Sequence, residues 1–465
     1  MTRLIQSTTR NISSKPRFAW QRILRDPFAL LIAFACLGLF LCSLREIGQY
    51  FYPYRWHFTV GLAIGLVGML GRVPGIVYRP EHRCLTAFIL VGALSVLISP
   101  MPEYSLARLA SFLIMYVALF IGGWSWLKQG RNYELVAKLL LLTIVLGAMW
   151  SLYFLVQELP GFIPGQRVTG AFGKATGTGS FAAAGLPLVL WKVRWSQGRS
   201  RVFFLFVLGV LLYLLIFSGG RAAIIGGLAA FIVWTWKHWR SGRLAIFLTV
   251  SAIMFLFVSG VLSLDMLPDY IVREESLPTF TGRIPRWKVG LQLFMESPIL
   301  GHGYGMTRYV RMYEEGERLT GVIVPGQVTL LDVIPGFGTA RLGRMTLHSD
   351  HVERLMEMGI LGYVPFALFW FFILRRIARL FWLPITYESS LAVALALNVA
   401  YVFLDSFMHG ALFAINAPGV LIAWFGIATF MAATEKLQVY PRANLCVSST
   451  SSTASIPVPA VLAIR

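Results

Sequence analysis

Residues 202–217 read VFFLFVLGVLLYLLIF, the turn SGGR follows at 218–221, and residues 222–236 continue as AAIIGGLAAFIVWTW. Each apolar run approaches the length of roughly 17–25 residues that a helix needs to cross a bilayer. Neither run carries a charge, and Arg221 stands between them. Two such runs joined by so short a turn predict a pair of antiparallel membrane helices.

The same pattern extends along the chain. Of its 465 residues 57% are hydrophobic and only 13% are charged, whereas a soluble domain carries about a quarter charged residues. The excess apolar surface must face lipid, so the sequence predicts an all-α polytopic membrane protein with about twelve spans. We place them near 28–44, 58–71, 84–99, 106–124, 135–157, 178–191, 202–217, 222–236, 244–264, 351–374, 389–405 and 419–434.

The formal net charge of +20 is concentrated in short clusters between the apolar runs. This is the positive-inside pattern of a membrane protein, so we expect no nucleic-acid partner. The bias places both termini in the cytoplasm. Every second short loop is basic through Arg72, Arg79, Arg83, Lys128, Arg131, Lys138, Lys192, Arg194, Arg199, Arg201, Lys237, Arg240, Arg243, Arg375, Arg376 and Arg379.

One long external loop interrupts the spans. The expected organisation is a basic cytoplasmic N-terminus at 1–27, spans one to nine at 28–264, the external loop at 265–350, spans ten to twelve at 351–434 and a flexible cytoplasmic tail at 435–465.

The loop is charge-balanced, with nine basic and nine acidic residues between 265 and 347. A helical pattern over Ile284–Ser297 ends at Pro298-Ile-Leu-Gly-His-Gly-Tyr-Gly. The stretch after Gly321 is punctuated by Gly and Pro, which is typical of a lid over a site.

His348 is the first candidate catalytic residue. Asp350 and Glu353 have capping-box spacing, which predicts a helix that begins near His351 with His348 just outside its N-terminus. The helix dipole there disfavours imidazolium, so a neutral ring would be available as a base. An interfacial histidine that only hydrogen-bonds a loop would have the same sequence. Further along the helix, Gly359 and Gly362 fall on roughly one face, where small residues permit close helix packing.

Several cations could bind an anionic substrate. Arg221 lies alone between two apolar runs, where an unpaired charge is costly unless it is functional; a snorkelling interfacial arginine is the alternative. Arg283 and Arg286 surround a helix start and could grip a diphosphate, or could form a solvated face with surface ion pairs. Arg167 and Lys174, in a Gly-rich loop, are weaker candidates of the same kind. A metal site at His348, Asp350 and His351 is disfavoured because a helix start spreads these residues apart.

In the pattern of these residues, the chain resembles the O-antigen ligase family of bacterial membrane glycosyltransferases. The family pattern is His, then Asn, Ser or Gln, nine residues, Gly, two residues, and Gly, Thr or Tyr. His348, Ser349, Gly359 and Gly362 meet it. A second family element, an external arginine followed by three residues and Leu, is met by Arg221 with Ile225 in the Leu place. A run in the wider ligase and polymerase superfamily is matched by Gly282, Arg283, Trp287, Pro298, Gly301 and Gly303.

The resemblance implies a metal-independent, cofactor-independent inverting transfer at the periplasmic face of the bacterial inner membrane. The donor would be a polysaccharide on undecaprenyl diphosphate and the acceptor the lipid A–core of lipopolysaccharide. His348 would act as general base, while Arg221 and Arg283, together with Arg286, would stabilise the diphosphate leaving group.

Two alternatives stay open at this stage. An O-antigen or exopolysaccharide polymerase, or a protein O-glycosyltransferase, of the same superfamily would differ only in its acceptor. A twelve-helix secondary transporter is the alternative from another class, disfavoured because the spans hold almost no acidic residues for ion coupling and show no internal repeat.

Overall fold

A computed structural model of the chain describes residues 27–68, 79–128, 132–158, 167–239, 283–315, 318–323, 347–408, 412 and 423–437. The described part is a bundle of helices. In chain order these are α1 (Pro27–Leu41), α2 (Arg45–Phe51), α3 (Arg55–Gly68), α4 (Pro80–Leu97), α5 (Pro102–Tyr116), α6 (Trp124–Lys128), α7 (Asn132–Glu158), α8 (Ala175–Trp195), α9 (Gly198–Phe217), α10 (Arg221–His238), α11 (Arg283–Glu296), α12 (Asp350–Leu380), α13 (Tyr387–Met408) and α14 (423–437).

Short helical segments complete the bundle. A π-helical stretch, Val117–Gly123, joins α5 to α6, and 3-10 turns lie at Tyr52–Tyr54, Gly170–Phe172 and Met306–Tyr309. Eleven of the twelve expected spans coincide with helices, and the ninth, at 244–264, lies outside the described residues. Six helices within the described ranges are long and apolar enough to cross a membrane. The chain is therefore a multi-pass membrane protein.

The long loop contains a structure that the sequence did not predict. Strands β1 (Val310–Glu315) and β2 (Arg318–Ile323) pair antiparallel, with Val310 opposite Ile323 and Glu315 opposite Arg318. The expectation of an all-α chain thus holds for the membrane bundle but not for this loop, where an alternating hairpin pattern outweighed helix formation. The expected lid after Gly321 falls mostly on residues outside the described ranges.

The interior is packed with large aromatic side chains. Trp124, Trp191, Trp234, Trp370 and Trp424 are fully buried in one continuous apolar cluster that links the helices. Such rings bury large apolar areas and pack in edge-to-face or offset arrangements. Trp424 packs this way against Phe112 and Phe120, which fixes α14 against the α5 region.

One end of the bundle is held by ion pairs. Glu435 on α14 lies 2.5 Å from Arg79 and 3.3 Å from Lys128, and Arg376 of α12 lies 2.6 Å from Glu81. Lys237, at the C-terminal end of α10, donates to three carbonyls at the end of α12, those of Leu380, Phe381 and Leu383. The N-termini of α10 and α12, with Arg221 and His348, therefore lie at the opposite end.

Candidate active site

His348 forms the turn that leads into α12. Its φ of +54° lies in the left-handed region, and it is the sole non-glycine residue with positive φ within the described ranges. The helix begins at Asp350, one residue earlier than expected, and its N-cap is Ser349. The Ser349 hydroxyl accepts a hydrogen bond from the Val352 N–H at 3.4 Å.

Asp350 is not the cap because its carboxylate is used elsewhere. It is fully buried, and its Oδ2 accepts the Leu412 N–H at 3.1 Å. Serine has the shorter side chain that suits this cap position. The capping-box interpretation of Asp350 and Glu353 is therefore corrected, and the half-buried His348 stays just outside the helix N-terminus.

The neighbouring histidine has a structural role. His351 Nδ1 lies 3.2 Å from the Tyr363 hydroxyl, and Nε2 lies 3.1 Å from Ser406 Oγ. Its ring stacks on Phe407 with centroids 3.8 Å apart. These contacts hold the start of α12 against the end of α13 and leave His348 as the candidate base at this turn.

Arg283 is the first residue of α11 and approaches the same end of α13. Its Nη1 lies 4.0 Å from Met408 Sδ. Burial lowers the pKa of the Arg283 guanidinium, the charge of Asp405 acts to raise it, and the charges of Arg286 and Arg221 lower it further. Arg221, Arg286 and Asp405 therefore lie within electrostatic range of Arg283, and the combined charge of the four groups is positive.

Arg221 begins α10 directly after the Gly219-Gly220 turn. A second loop supports this turn, because Arg167 Nε donates to the Ser218 carbonyl at 2.6 Å and Val168 N–H donates to Phe217 at 2.9 Å. Arg167 is thus placed beside the turn that carries Arg221.

Lys174 differs from the arginines in its exposure to solvent. It is exposed and precedes α8, and its neighbour Gly173 faces the side chain of Arg45, so that a Cβ there would lie 3.1 Å from Arg45 Cγ. Of the five predicted donor-binding cations, Lys174 is exposed, whereas Arg167, Arg221, Arg283 and Arg286 are partly buried.

Gly359 differs most from its expected role. Its φ of 59° and ψ of −165° break α12, so it is not one of a pair of small residues on a continuous helix face. A Cβ on Gly359 would lie 2.3 Å from the backbone of Ile299, because a loop, rather than a helix, approaches it. Gly362 lies beyond the break, where a Cβ would meet the Met358 side chain at 2.4 Å.

The site therefore lies where the N-termini of α10, α11 and α12 meet the C-terminal end of α13. The N-terminus of a helix carries a partial positive charge and free N–H groups, which favour anions. The three arginines add full charges at the same place. This arrangement can bind a phosphate-bearing substrate beside an imidazole.

Asp405 and Tyr401 are members of this site that sequence reasoning missed. The buried Tyr401 donates to Asp405 Oδ1 at 3.4 Å, and its ring packs on Gly226 of α10, where a Cβ would lie 2.6 Å from Tyr401 Cδ2. An acid at the end of an apolar span is itself a signal of function, and Asp405 could have been recognised from that position. A second missed group, Arg354, Glu357 and Thr307, depends on tertiary contacts and left no such signal.

Comparison with known proteins bears directly on these residues. Residues 206–367 match the family model described as O-antigen ligase, about a third of the chain. The matched region contains Arg221, Arg283, Arg286 and His348, whereas Arg167, Lys174 and Asp405 lie outside it. No curated protein matches this chain. The family match confirms the resemblance seen in the motifs and gives no support to a transporter.

Proposed function

We propose that this chain, which carries an O-antigen ligase domain over residues 206–367, transfers a polysaccharide from undecaprenyl diphosphate to the lipid A–core of lipopolysaccharide. The observation that carries the proposal is the grouping of Arg221, Arg286 and Asp405 about Arg283 at the end of α13, where the helix that His348 precedes also begins. A lipid-diphosphate donor brings the negative charge that this grouping favours.

The chemistry assigned to His348 is general-base catalysis. Its imidazole would take the proton from an acceptor sugar hydroxyl, whose oxygen attacks the anomeric carbon of the donor. As that bond forms, the bond between the anomeric carbon and the diphosphate oxygen breaks, and the configuration is inverted. A base placed in this way contributes typically 10²–10⁴-fold to the rate.

The arginines would act on the leaving group. Negative charge grows on the diphosphate as its bond to the sugar breaks, and preorganised donors stabilise such charge in the transition state. Guanidinium groups bind two phosphate oxygens at once. Arg283 and Arg221 are the candidates for this role, with Arg286 beside them. Arg167 supports the turn that carries Arg221, whereas the exposed Lys174 would contribute at most to the first encounter with the donor.

The test is deletion of the gene in its host followed by gel analysis of the lipopolysaccharide. We expect loss of all capped lipopolysaccharide while polymer stays on the lipid carrier, and recovery on return of the parental gene. Lipopolysaccharide capped with a single repeat unit would instead identify a polymerase of the same superfamily. An unchanged gel pattern would exclude both.

A further inference from the structure

The backbone of α12 is opened at Gly359 and a loop fills the opening. In a continuous helix the N–H groups of Ile360 and Leu361 would bond to the carbonyls of Met356 and Glu357. Here Ile360 donates to Pro298 at 2.8 Å and Leu361 donates to Ile299 at 3.2 Å. The freed carbonyls are used by the same loop.

The same loop donates two hydrogen bonds to those carbonyls. His302 N–H donates to the Met356 carbonyl at 3.0 Å, and Gly303 N–H donates to that of Glu357 at 2.9 Å. The approach needs glycine in the loop, since Gly301 has a φ of +69° and a Cβ there would lie 2.4 Å from the Glu357 backbone. The first part of α12, residues 350–358, is therefore attached to the long loop by backbone hydrogen bonds that replace those of a continuous helix.

A buried side-chain network completes this attachment, which we term the loop clamp (residues 298–309 with residues 350–358). Glu357 Oε1 accepts hydrogen bonds from Thr307 N–H at 3.1 Å and from Thr307 Oγ1 at 2.6 Å. Its Oε2 lies 2.6 Å from Arg354 Nη1, and the Arg354 guanidinium lies over the Tyr304 ring at 5.1 Å. Hydrogen bonds to a buried charged group are roughly twice as strong as neutral ones, so this carboxylate fixes the geometry of the clamp.

The clamp joins the two halves of the candidate site. Arg283 begins α11, and the loop of the clamp follows directly after that helix. Gly290 of α11 faces the turn that carries His348, since a Cβ there would lie 2.6 Å from Val352 Cγ1 and 2.7 Å from Leu347 Cδ1. The position of His348 relative to Arg283 is thus set by α11, its loop and residues 350–358 together.

We infer that Glu357, acting through Thr307, is a positioning residue that holds His348 at its working distance from Arg283. The inference rests on the proposed function, because it needs His348 as the base and Arg283 at the diphosphate. Glu357 and Thr307 are both buried, so we expect neither to touch a substrate. Their loss should lower the rate of the chemical step and leave substrate affinity in place, because a misplacement of about 1 Å can cost 10²-fold in rate.

The experiment compares Thr307→Val with Thr307→Ser in purified full-length enzyme. The first removes the hydroxyl donor to Glu357 while the Thr307 N–H and the side-chain shape remain, and the second keeps the hydroxyl. We expect Thr307→Val to lower kcat per folded molecule roughly tenfold, with KM for donor and acceptor within about twofold, and Thr307→Ser to retain at least about half of the parental kcat. Thr429→Val is the matched control, because the buried Thr429 hydroxyl donates within its own helix to Phe425.

A purely structural link predicts a different result, in which Thr307→Val melts at a lower temperature while kcat per folded molecule stays parental. That result would overturn the inference, as would a kcat loss below about threefold or a rise in KM alone. If Thr307→Val yields no folded enzyme, Thr307→Ala removes the same donor with less bulk and is held to the same limits. His348→Asn in the same assay separates the two hypotheses. Full activity of His348→Asn contradicts the proposed function, whereas its inactivity beside a fully active Thr307→Val contradicts the positioning role alone.

Discussion

At the scale of single residues, His348 combines a candidate base with an unusual backbone. Left-handed φ costs most L-residues about 1–2 kcal/mol, and histidine and asparagine are enriched several-fold among the exceptions. The turn directs His348 out of the helix while Ser349 caps it. The sequence therefore separates helix capping, by Ser349, from the chemistry proposed for the adjacent His348.

We predict that His348→Asn lowers kcat by about 10²–10⁴-fold, while the melting temperature stays within about 4 °C of the parent. Asparagine tolerates the left-handed backbone, so the substitution removes the imidazole without adding strain. His348→Ala should be similarly inactive and still fold. It should be somewhat less stable than His348→Asn, because alanine tolerates the left-handed backbone less well. Glycan transfer by the purified variants is the measurement, and transfer at the parental rate would remove His348 from the mechanism.

Removal of different cations of the site should lower kcat by very different factors. Arg283 is half-buried among Asp405, Arg286 and Arg221, whereas Lys174 is exposed. We predict that Arg283→Ala lowers kcat by about 10²–10³-fold, the range for loss of one transition-state donor, and that Arg283→Lys recovers only part of it because lysine cannot bind bidentately. Lys174→Ala should change kcat less than about threefold. Equal losses at both positions would contradict this account of the donor site.

Candidate site residues could be predicted from the sequence where their neighbours in the chain make them unusual. A lone arginine between apolar runs and a histidine before a helix start are cases of this kind, and they singled out Arg221 and His348. Asp405 was not predicted as a site residue because it is the last residue of an expected span. Glu357 has no sequence feature that distinguishes it from other glutamates in helices. Their partners, Arg283 and Thr307, lie far away in sequence, so only the folded chain brings these pairs together.

At the scale of elements, hydropathy predicted the helices and missed the places where they deviate. A run of apolar residues fixes the existence and approximate limits of a membrane helix because lipid satisfies no backbone groups. The same rule explains the break at Gly359, where the loop supplies the bonds that the opened helix lacks. That exchange of partners is a tertiary event, and a glycine pattern alone cannot distinguish it from close helix packing.

We predict that Gly359→Ala prevents accumulation of folded protein. The φ and ψ of Gly359 lie in a region that is essentially restricted to glycine and costs other residues about 1–3 kcal/mol, and the added Cβ would lie 2.3 Å from the Ile299 backbone. Gly209→Ala is the matched control, because Gly209 lies in α9 with open space around its Cβ position. Alanine there should be neutral or stabilising by up to about 1 kcal/mol. The two variants are compared by their yield of monodisperse protein and by their melting temperature. A stable Gly359→Ala would show that the fold does not require the break in α12.

At the scale of the whole molecule, the distribution of charge defines two ends. Glu81 and Glu435, with their basic partners Arg79, Lys128 and Arg376, hold one end, and the arginines of the candidate site lie at the other. Beyond the break at Gly359, α12 continues from Ile360 to Leu380, about 30 Å at the rise of a helix, which matches the roughly 30 Å hydrocarbon core of a bilayer. The loops that the positive-inside rule assigns to the cytoplasm are those at the Glu435 end.

We therefore predict that the two ends of α8 lie on opposite sides of the membrane. Lys174 precedes this helix and Arg201 follows it, and both are exposed. In cells with a permeabilised outer membrane, a membrane-impermeant maleimide should label Lys174→Cys at once, and Arg201→Cys only after the inner membrane is opened. The parental chain is the control for the native thiols, of which Cys42 and Cys84 are buried. The reverse labelling pattern would place the arginines and His348 in the cytoplasm, where the external lipid-diphosphate donor proposed for this site could not reach them.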